Sequence, residues 1–246
     1  MKKNENYNWY LIRIQRKTGK AVEKYDMLHE GDRVLCGLSG GKDSLVMLHS
    51  LYHISRSFPY KFGIEAVYVD VENIEYHADI EFLSEFCKSI NVPFHVVKAH
   101  VNFETDKRKQ PCFLCSWNRR KSMFSLAREL RCNKIAFGHH KDDIVETLLL
   151  NMTFQGSIST MPPKLNLFNG EMQIIRPLAL VTDEETKRYA EICNFRLEVK
   201  KCPYDRETKR KSMRDLLENL EKLYPKAKNN IYNSLSNIQE EYLPES

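Results

Sequence analysis

Residues 33–44 read RVLCGLSGGKDS, and this stretch decides the fold. Residues 33–38 form an apolar run that predicts a buried strand, and residues 39–44 predict a glycine loop that opens a helix. Glycines allow backbone amides to turn toward an anion, and the amino end of a helix adds a partial positive charge. The stretch therefore predicts a phosphate-binding loop. The predicted ligands in this loop are Ser39, Gly40, Gly41, Lys42, Asp43 and Ser44.

Strand and helix patterns alternate on the carboxyl side of this stretch. Strand patterns recur at residues 62–71, 94–97 and 134–138, and apolar residues at helical spacing follow each of them. This repeated order predicts an α/β fold with a doubly wound parallel sheet and helical N- and C-terminal extensions. We expect a basic helical extension over residues 1–30 and a nucleotide-binding domain over residues 31–200. A helical extension over residues 201–246 is expected to pack on that core.

The composition is that of a folded protein from the cell interior. The chain has 246 residues, of which 42% are hydrophobic, and its formal net charge is +5. No apolar run approaches the roughly 18 residues that a membrane-spanning helix needs, and the first residues lack the apolar segment of a secretory signal. We therefore expect a cytoplasmic protein with no membrane partner.

Basic residues are concentrated in three stretches. Residues 2–20 hold six Lys and Arg against one Glu, residues 107–134 hold nine against one, and residues 200–228 hold ten against five acidic residues. Clustered cations favour a polyanion partner, RNA or DNA. The alternative is a set of solvated helix faces.

The glycine loop differs from the standard mononucleotide P-loop, Gly-x4-Gly-Lys-Ser/Thr. Cys36 occupies the position of the first glycine, and Asp43 follows Lys42 where that pattern requires a hydroxyl. SGGKDS instead resembles the loop of the PP-loop ATP pyrophosphatases, which have the adenine nucleotide alpha-hydrolase-like fold. The resemblance implies cleavage of ATP between its α and β phosphates, with AMP as the nucleotide product.

A second motif, GHHKDD at residues 138–143, ends the fourth predicted strand. Open α/β sheets bind ligands at this edge, so we expect Gly138 to contribute to ATP binding. Asp142 and Asp143 can cap the helix that follows, or they can bind Mg²⁺ or move a proton. His139 and His140 are interpreted as positioning residues.

Three of the seven cysteines lie in polar sequence. Cys112 and Cys115 form a Cys-x2-Cys pair, and Cys202 stands alone between Lys201 and Pro203. Three thiolates suit an iron–sulfur cluster with one open iron, whereas a closed zinc site requires a fourth ligand. Zinc and a redox-active pair remain open as alternatives. The other four cysteines lie in apolar-periodic segments and are interpreted as core residues.

Taken together, these motifs resemble the TtcA family of tRNA 2-thiolation enzymes. The resemblance extends from about residue 17 to Cys202 and includes two further runs, LLNMTFQGSISTMPP at residues 149–163 and IRPL at residues 175–178. It implies ATP, Mg²⁺ and a [4Fe–4S] cluster on Cys112, Cys115 and Cys202. It also implies transfer of sulfur to C2 of a cytidine in the anticodon loop of tRNA.

The resemblance assigns roles to individual residues. Lys42, Asp43, Asp142, Asp143 and Arg119 are the expected catalytic residues. RNA is expected to contact Arg119, Arg120 and Lys121, which follow the Cys-x2-Cys pair. The implied partners are tRNA and a sulfur donor, either a cysteine desulfurase or free sulfide, and a homodimer is one candidate assembly.

The sequence departs from the TtcA pattern after Cys202, where that family usually carries a second Cys-x2-Cys pair. The segment CPYDRETKRK at residues 202–211 looks more like related 2-thiouridine synthetases, although the terminal zinc-finger cysteines of those enzymes are absent here. Formation of 2-thiouridine is therefore the first alternative, and a non-catalytic RNA-binding protein with a structural zinc is the second.

Overall fold

The structure is a computed structural model that describes residues 2–74, 77–103, 111–196 and 209–242, with side chains from Asn8 onward. The helices of this part of the chain are α1 (Lys2–Lys24), α2 (Lys42–Ser55), α3 (Ile80–Ser89), α4 (Pro111–Glu129), α5 (Lys141–Gln155), α6 (Asp183–Ile192), α7 (Lys209–Leu223) and α8 (Ala227–Ser234). The strands are β1 (Arg33–Leu38), β2 (Gly63–Val71), β3 (Phe94–Ala99), β4 (Lys134–Ala136), β5 (Lys164–Leu167) and β6 (Met172–Ile175). Short 3-10 turns occupy Phe168–Gly170 and Glu240–Tyr242.

The six strands form one sheet in the order β3-β2-β1-β4-β6-β5. Five strands run parallel, and β5 pairs antiparallel with β6 at one edge. The predicted α/β class and its four parallel strands are confirmed. The β5–β6 hairpin was not predicted, because four-residue strands are too short to show a clear alternation of apolar and polar residues.

Helices cover both faces of the sheet. Leu35, Val67 and Val69 point to the face on which Met123 and Ala127 of α4 are buried. Helices α1, α2 and α6 pack against one another. These helices lie on the other face of the sheet. After β3 the chain crosses to the far side of β1 to form β4. Right-handed connections therefore place α4 on the face opposite α2. The sheet is doubly wound, as expected.

The chain separates into two compact units. The first comprises residues 1–140 and 162–206, and the second comprises residues 141–161 and 207–246. In the second unit, Met213 and Leu217 of α7 are buried, and Arg214 Nε donates to the buried Glu146 Oε1 at 2.9 Å. The expected domain boundaries at residues 30 and 200 stay a prediction. None of the described helices combines the length and the apolar character that crossing a membrane requires.

The reversal of strand order lies between β1 and β4, and it brings two connections together. The loop after β1 carries residues 39–41, and the loop after β4 carries Gly138. A Cβ atom at Gly138 would lie 2.8 Å from the carbonyl carbon and oxygen of Asp43 and from the backbone nitrogen of Ser44. Only glycine allows this approach, since backbone atoms cannot rotate away as a side chain can.

We predict that Gly138→Ala displaces the glycine loop and weakens ATP binding. The added methyl group should also lower the free energy of unfolding by about 1–3 kcal/mol, which is typical of overpacking. Thermal melting and ATP titration of the purified variant measure the two effects. Gly63→Ala is the matched control, because its Cβ would meet only Arg33 Cγ at 3.5 Å and the Asp32 carbonyl oxygen at 4.0 Å. Wild-type ATP affinity in Gly138→Ala would contradict the prediction.

Candidate functional site

The glycine loop is closed by its own hydroxyl groups. The Ser39 backbone nitrogen donates to Ser44 Oγ at 3.1 Å, and Ser44 Oγ donates to the Gly41 carbonyl at 2.8 Å. Gly40 has a φ of +73°, which an L side chain rarely adopts. Gly41 stands at the amino end of α2. Because glycine has no side chain, Gly41 cannot cap the backbone amides of the first turn. These amides can therefore bind an anion.

Lys42 extends from this loop into a cluster of oxygen atoms. Its Nζ lies 2.7 Å from Asp43 Oδ1, 2.6 Å from Asp183 Oδ1 and 3.1 Å from Thr186 Oγ1. Thr186 Oγ1 in turn donates to Asp43 Oδ1 at 2.6 Å. The first turn of α6 thus completes a network that begins in the glycine loop.

His140 joins the same cluster from the loop after β4. It is buried, with Nε2 3.2 Å from Asp183 Oδ1 and 3.9 Å from Asp43 Oδ1. Ligand atoms of Asp43, His140 and Asp183 all lie within 4.8 Å of one another. Two carboxylates and an imidazole at this spacing have the chemistry to hold a divalent cation.

The charges of the cluster shift the pKa values of its members. Hydrogen bonds from His140 and Lys42 hold the pKa of Asp183 well below its usual range, although burial acts in the opposite direction. Burial by itself lowers the pKa of Lys42, but the carboxylates of Asp43 and Asp183 raise it above its usual value. The Lys42 ammonium and the Asp183 carboxylate are therefore charged at neutral pH, and the site presents a fixed cation to a phosphate.

Sequence reasoning missed Asp183 and Thr186. Thr182 caps α6 by accepting from the Glu185 backbone nitrogen, and the Glu185 side chain accepts from the Thr182 nitrogen. This capping box is readable in the sequence as Thr-x-x-Glu and marks the helix start. The contact between that helix start and Lys42, 141 residues earlier in the chain, has no sequence signal.

The predicted acidic pair after His140 lies at the start of α5, in the second unit. Within that unit, Asp142 Oδ1 is 2.6 Å from Lys228 Nζ, and Asp143 Oδ1 is 3.9 Å from Arg210 Nη1. Burial would lower the pKa of Lys228, but its hydrogen bonds to Asp142 and Glu221 raise it. The expected roles of Asp142 and Asp143 stay predictions.

The Cys-x2-Cys pair occupies the first two turns of α4. Cys112 is exposed and Cys115 is partly buried, and a spacing of three residues places both thiols on one side of the helix. Cys202 lies outside the described residues. Burial raises the pKa of Cys87 to about 12 and that of Cys193 to about 11, so those thiols are poor thiolate ligands. Cys36 and Cys132 are likewise buried, and their pKa values are raised.

The predicted RNA contacts continue along α4. Arg120 folds back so that its Nη2 donates to Ser116 Oγ at 3.0 Å, and Lys121 is exposed. The Nε of Arg119 is buried without a hydrogen-bond partner among the described residues.

Comparisons with known proteins show the family of the chain. The sequence profile of the PP-loop domain matches residues 11–221. The tRNA-cytidine(32) 2-sulfurtransferase of Janthinobacterium sp. (strain Marseille) is 38% identical over 237 residues, which cover 94% of this chain and 74% of that protein. The enzyme of the same name from Citrifermentans bemidjiense is 36% identical, with 94% of this chain and 92% of that protein covered.

A solved structure is similar over nearly the whole chain. The U34-tRNA thiolase NcsA from Methanococcus maripaludis, determined with its [4Fe-4S] cluster, superposes with a TM-score of 0.78 at 25% identity. The match covers 97% of this chain and 84% of NcsA. With the glycine loop at the reversal of strand order, these similarities lead to one conclusion: the chain belongs to the PP-loop family and, within it, to the tRNA-cytidine(32) 2-sulfurtransferases.

Proposed function

We propose that this protein is an ATP-dependent tRNA sulfurtransferase that converts a cytidine of the anticodon loop to 2-thiocytidine. The relatives that it matches at 36–38% identity are named for cytidine 32. The observation that carries the proposal is that the glycine loop and the Cys112–Cys115 pair both belong to connections at one edge of the sheet. The glycine loop follows β1 at the carboxyl edge of the parallel strands, and the Cys112–Cys115 pair begins the helix that returns from this edge to β4.

The role proposed for ATP is to activate C2 of the pyrimidine. The C2 carbonyl of a pyrimidine is a poor electrophile, so its oxygen must first become a leaving group. We infer that this oxygen attacks the α-phosphorus of ATP, forming an O–P bond while pyrophosphate leaves. Lys42 and the amides at the start of α2 stabilise the charge that develops on the phosphates.

Asp183, Thr186 and His140 position this machinery. Asp183 and Asp43 hold the Lys42 ammonium between them, and Thr186 holds Asp43. The carboxylates of Asp43 and Asp183, which lie beside His140, are oxygen donors that fit Mg²⁺, and a bound Mg²⁺ would neutralise phosphate charge. Asp142 and Asp143, the acidic pair expected from the sequence, remain candidates for a second role in Mg²⁺ binding or proton transfer.

The second half of the reaction introduces sulfur. A sulfide equivalent attacks C2, forms the C–S bond and expels AMP, which carries away the original oxygen. Cys112 and Cys115 fit a cluster as two thiols on one side of a helix, and Cys202 is the proposed third ligand. When bound, a [4Fe–4S] cluster with three protein ligands supplies one iron that can hold sulfur. Arg119 lies one helical turn beyond Cys115 and is proposed to contact the substrate.

The proposal also includes the other partners of the reaction. Arg119, Arg120 and Lys121 would bind the tRNA backbone, and the target base must leave its stack to reach the site. A cysteine desulfurase or free sulfide would supply the sulfur, in the cytoplasm where tRNA is modified, and a homodimer is the proposed assembly.

Mass analysis of tRNA nucleosides from cells with and without the protein tests the reaction. Loss of 2-thiocytidine supports it, whereas loss of 2-thiouridine would assign the other base.

The Lys42 cluster generates the first prediction of this subsection. Lys42→Ala should reduce ATP-dependent release of AMP and pyrophosphate by about 10²–10³-fold, because the charge on the phosphates loses its main donor. Asp183→Asn should reduce it by up to about 100-fold, since Lys42 and His140 lose the group that positions them. Chromatography of the nucleotide products measures both rates.

Glu184→Gln is the matched control for Asp183→Asn. Glu184 lies on the same helical turn but is exposed, so its neutralisation should leave the rate near that of the wild type. Formation of ADP and orthophosphate by the wild-type protein would contradict the assigned cleavage. A wild-type rate in Asp183→Asn would remove this residue from the proposed machinery.

The second prediction concerns Cys202. Cys202→Ser should lose the anaerobically reconstituted iron and sulfide and abolish thiolation, because two thiolates are too few for a stable cluster. ATP binding should persist. Iron and acid-labile sulfide analysis and tRNA thiolation measure these effects, and Cys193→Ser is the control at a partly buried cysteine of the first unit.

Two results would contradict the cluster. Full thiolation by metal-free, chelator-treated protein would favour transfer through persulfides on Cys115 and Cys202. A Cys202→Ser protein that keeps both iron and activity would remove Cys202 from either mechanism.

The third prediction concerns α4. Replacing Arg119, Arg120 and Lys121 together with Gln should weaken tRNA binding and reduce the salt slope of log affinity by about two to three, because fewer counterions are released. Filter binding over a range of salt concentrations measures the slope.

A double replacement of Lys61 and Lys88 with Gln is the control. These residues are exposed and lie at the opposite, amino edge of the sheet, near the end of α3 and the start of β2. An unchanged salt slope in the α4 variant would indicate that the three basic residues form a solvated helix face and do not contact tRNA.

A further inference from the structure

Helix α1 presents a basic and aromatic face to the solvent. Trp9, Ile12, Arg16 and Lys20, which we name the α1 stripe, recur at helical spacing and are all exposed. Together with Arg13 and Lys17 they line a groove of about 280 Å³. The stripe extends over twelve residues, and its eleven steps span roughly 16 Å at the helical rise of about 1.5 Å per residue. Nothing in the reaction proposed above uses it.

Two cations of the groove form ion pairs with a residue of α6. Arg13 Nη2 and Lys17 Nζ lie 3.0 and 2.7 Å from Glu185 Oε1. Arg16 and Lys20, by contrast, form no ion pair with any residue of the described segments. The stripe therefore carries two cations whose charge is not balanced by any described residue, and these are available to an anionic partner.

Trp9 adds an aromatic surface beside these cations. Its side chain is 60% exposed, and the Arg13 guanidinium lies 5.7 Å from its ring centroid. This contact holds the ring while leaving most of it in solvent. An exposed indole next to unpaired cations is the combination with which proteins bind unstacked nucleotides, where a base stacks on the ring and phosphates meet the cations.

Helix α1 is joined to the Lys42 cluster through the first turn of α6. Glu185, which holds Arg13 and Lys17, is on the same helical turn of α6 as Asp183, which holds Lys42. One turn of α6 therefore contacts α1 on one side and the glycine loop on the other. A nucleic acid that follows the groove would pass beside the site in which its base reacts.

We propose that the α1 stripe is a tRNA-binding surface, with phosphates at Arg16 and Lys20 and an unstacked base on Trp9. This inference rests on the proposed function and names a part of the substrate surface outside the reacting groups. A second copy of the chain fits less well. A symmetric contact between two copies would place the unbalanced cations of one stripe against those of the other, which costs free energy.

Filter binding of tRNA over a range of salt concentrations tests the two parts of the surface separately. Arg16→Ala with Lys20→Ala should reduce the salt slope of log affinity by about 1.4–1.8, the value for two lost phosphate contacts. Trp9→Ala should lower the affinity about fivefold or more without changing the slope, and Trp9→Tyr should largely restore it. ATP affinity without tRNA should stay at the wild-type value in each variant.

Lys61→Ala with Lys88→Ala is the matched control, because it removes two exposed cations at the amino edge of the sheet. Wild-type tRNA affinity and slope in the Arg16, Lys20 variant would overturn the inference while leaving the proposed function intact. A change in sedimentation mass with unchanged tRNA affinity would identify the stripe as a contact between copies instead. Failure of the wild-type protein to bind tRNA would overturn the proposed function itself.

Discussion

A single ammonium group connects the parts of the candidate site. Lys42 Nζ donates to carboxylates from two different helices, Asp43 at the start of α2 and Asp183 at the start of α6. Two carboxylates so close together would repel each other without a cation between them. The lysine therefore serves two purposes, since it keeps the starts of two helices together and presents positive charge where a phosphate is expected.

The network extends beyond this ammonium group through α6. Its first turn contacts the glycine loop through Asp183 and contacts α1 through Glu185. Three helices on one face of the sheet are thus joined by charge as well as by packing. This arrangement connects the amino-terminal helix, which has no phosphate motif of its own, to the glycine loop.

Burial divides the thiols of the chain into two chemical classes. Cys36 and Cys87 are enclosed by apolar side chains, and loss of solvent raises their pKa values because the thiolate is disfavoured there. Cys112 remains exposed at the start of α4. Among the described cysteines, the exposed thiol therefore lies at the start of the helix that returns to β4 from the carboxyl edge of the sheet, where the glycine loop also lies.

The local motifs could be predicted from the sequence because each depends on neighbouring residues. A strand followed by Gly40 and Gly41 predicts the loop, the spacing of Cys112 and Cys115 predicts paired thiols, and repeated β-α order predicts the parallel sheet. The β5–β6 hairpin escaped prediction because its strands are short. The role of Asp183 could not be predicted, because the sequence of a capping box is the same whether or not its helix approaches a lysine.

What the sequence by itself determined is therefore the fold class and the glycine loop, and it predicted candidate side chains for the chemistry. Only the tertiary structure decided which of those side chains meet. Strand order reverses between β1 and β4, and Gly138 permits a backbone approach that any Cβ would block. The pairing of Lys42 with Asp183 depends on both, and contacts between residues 141 positions apart follow from the packing of helices on a sheet, which no local pattern encodes.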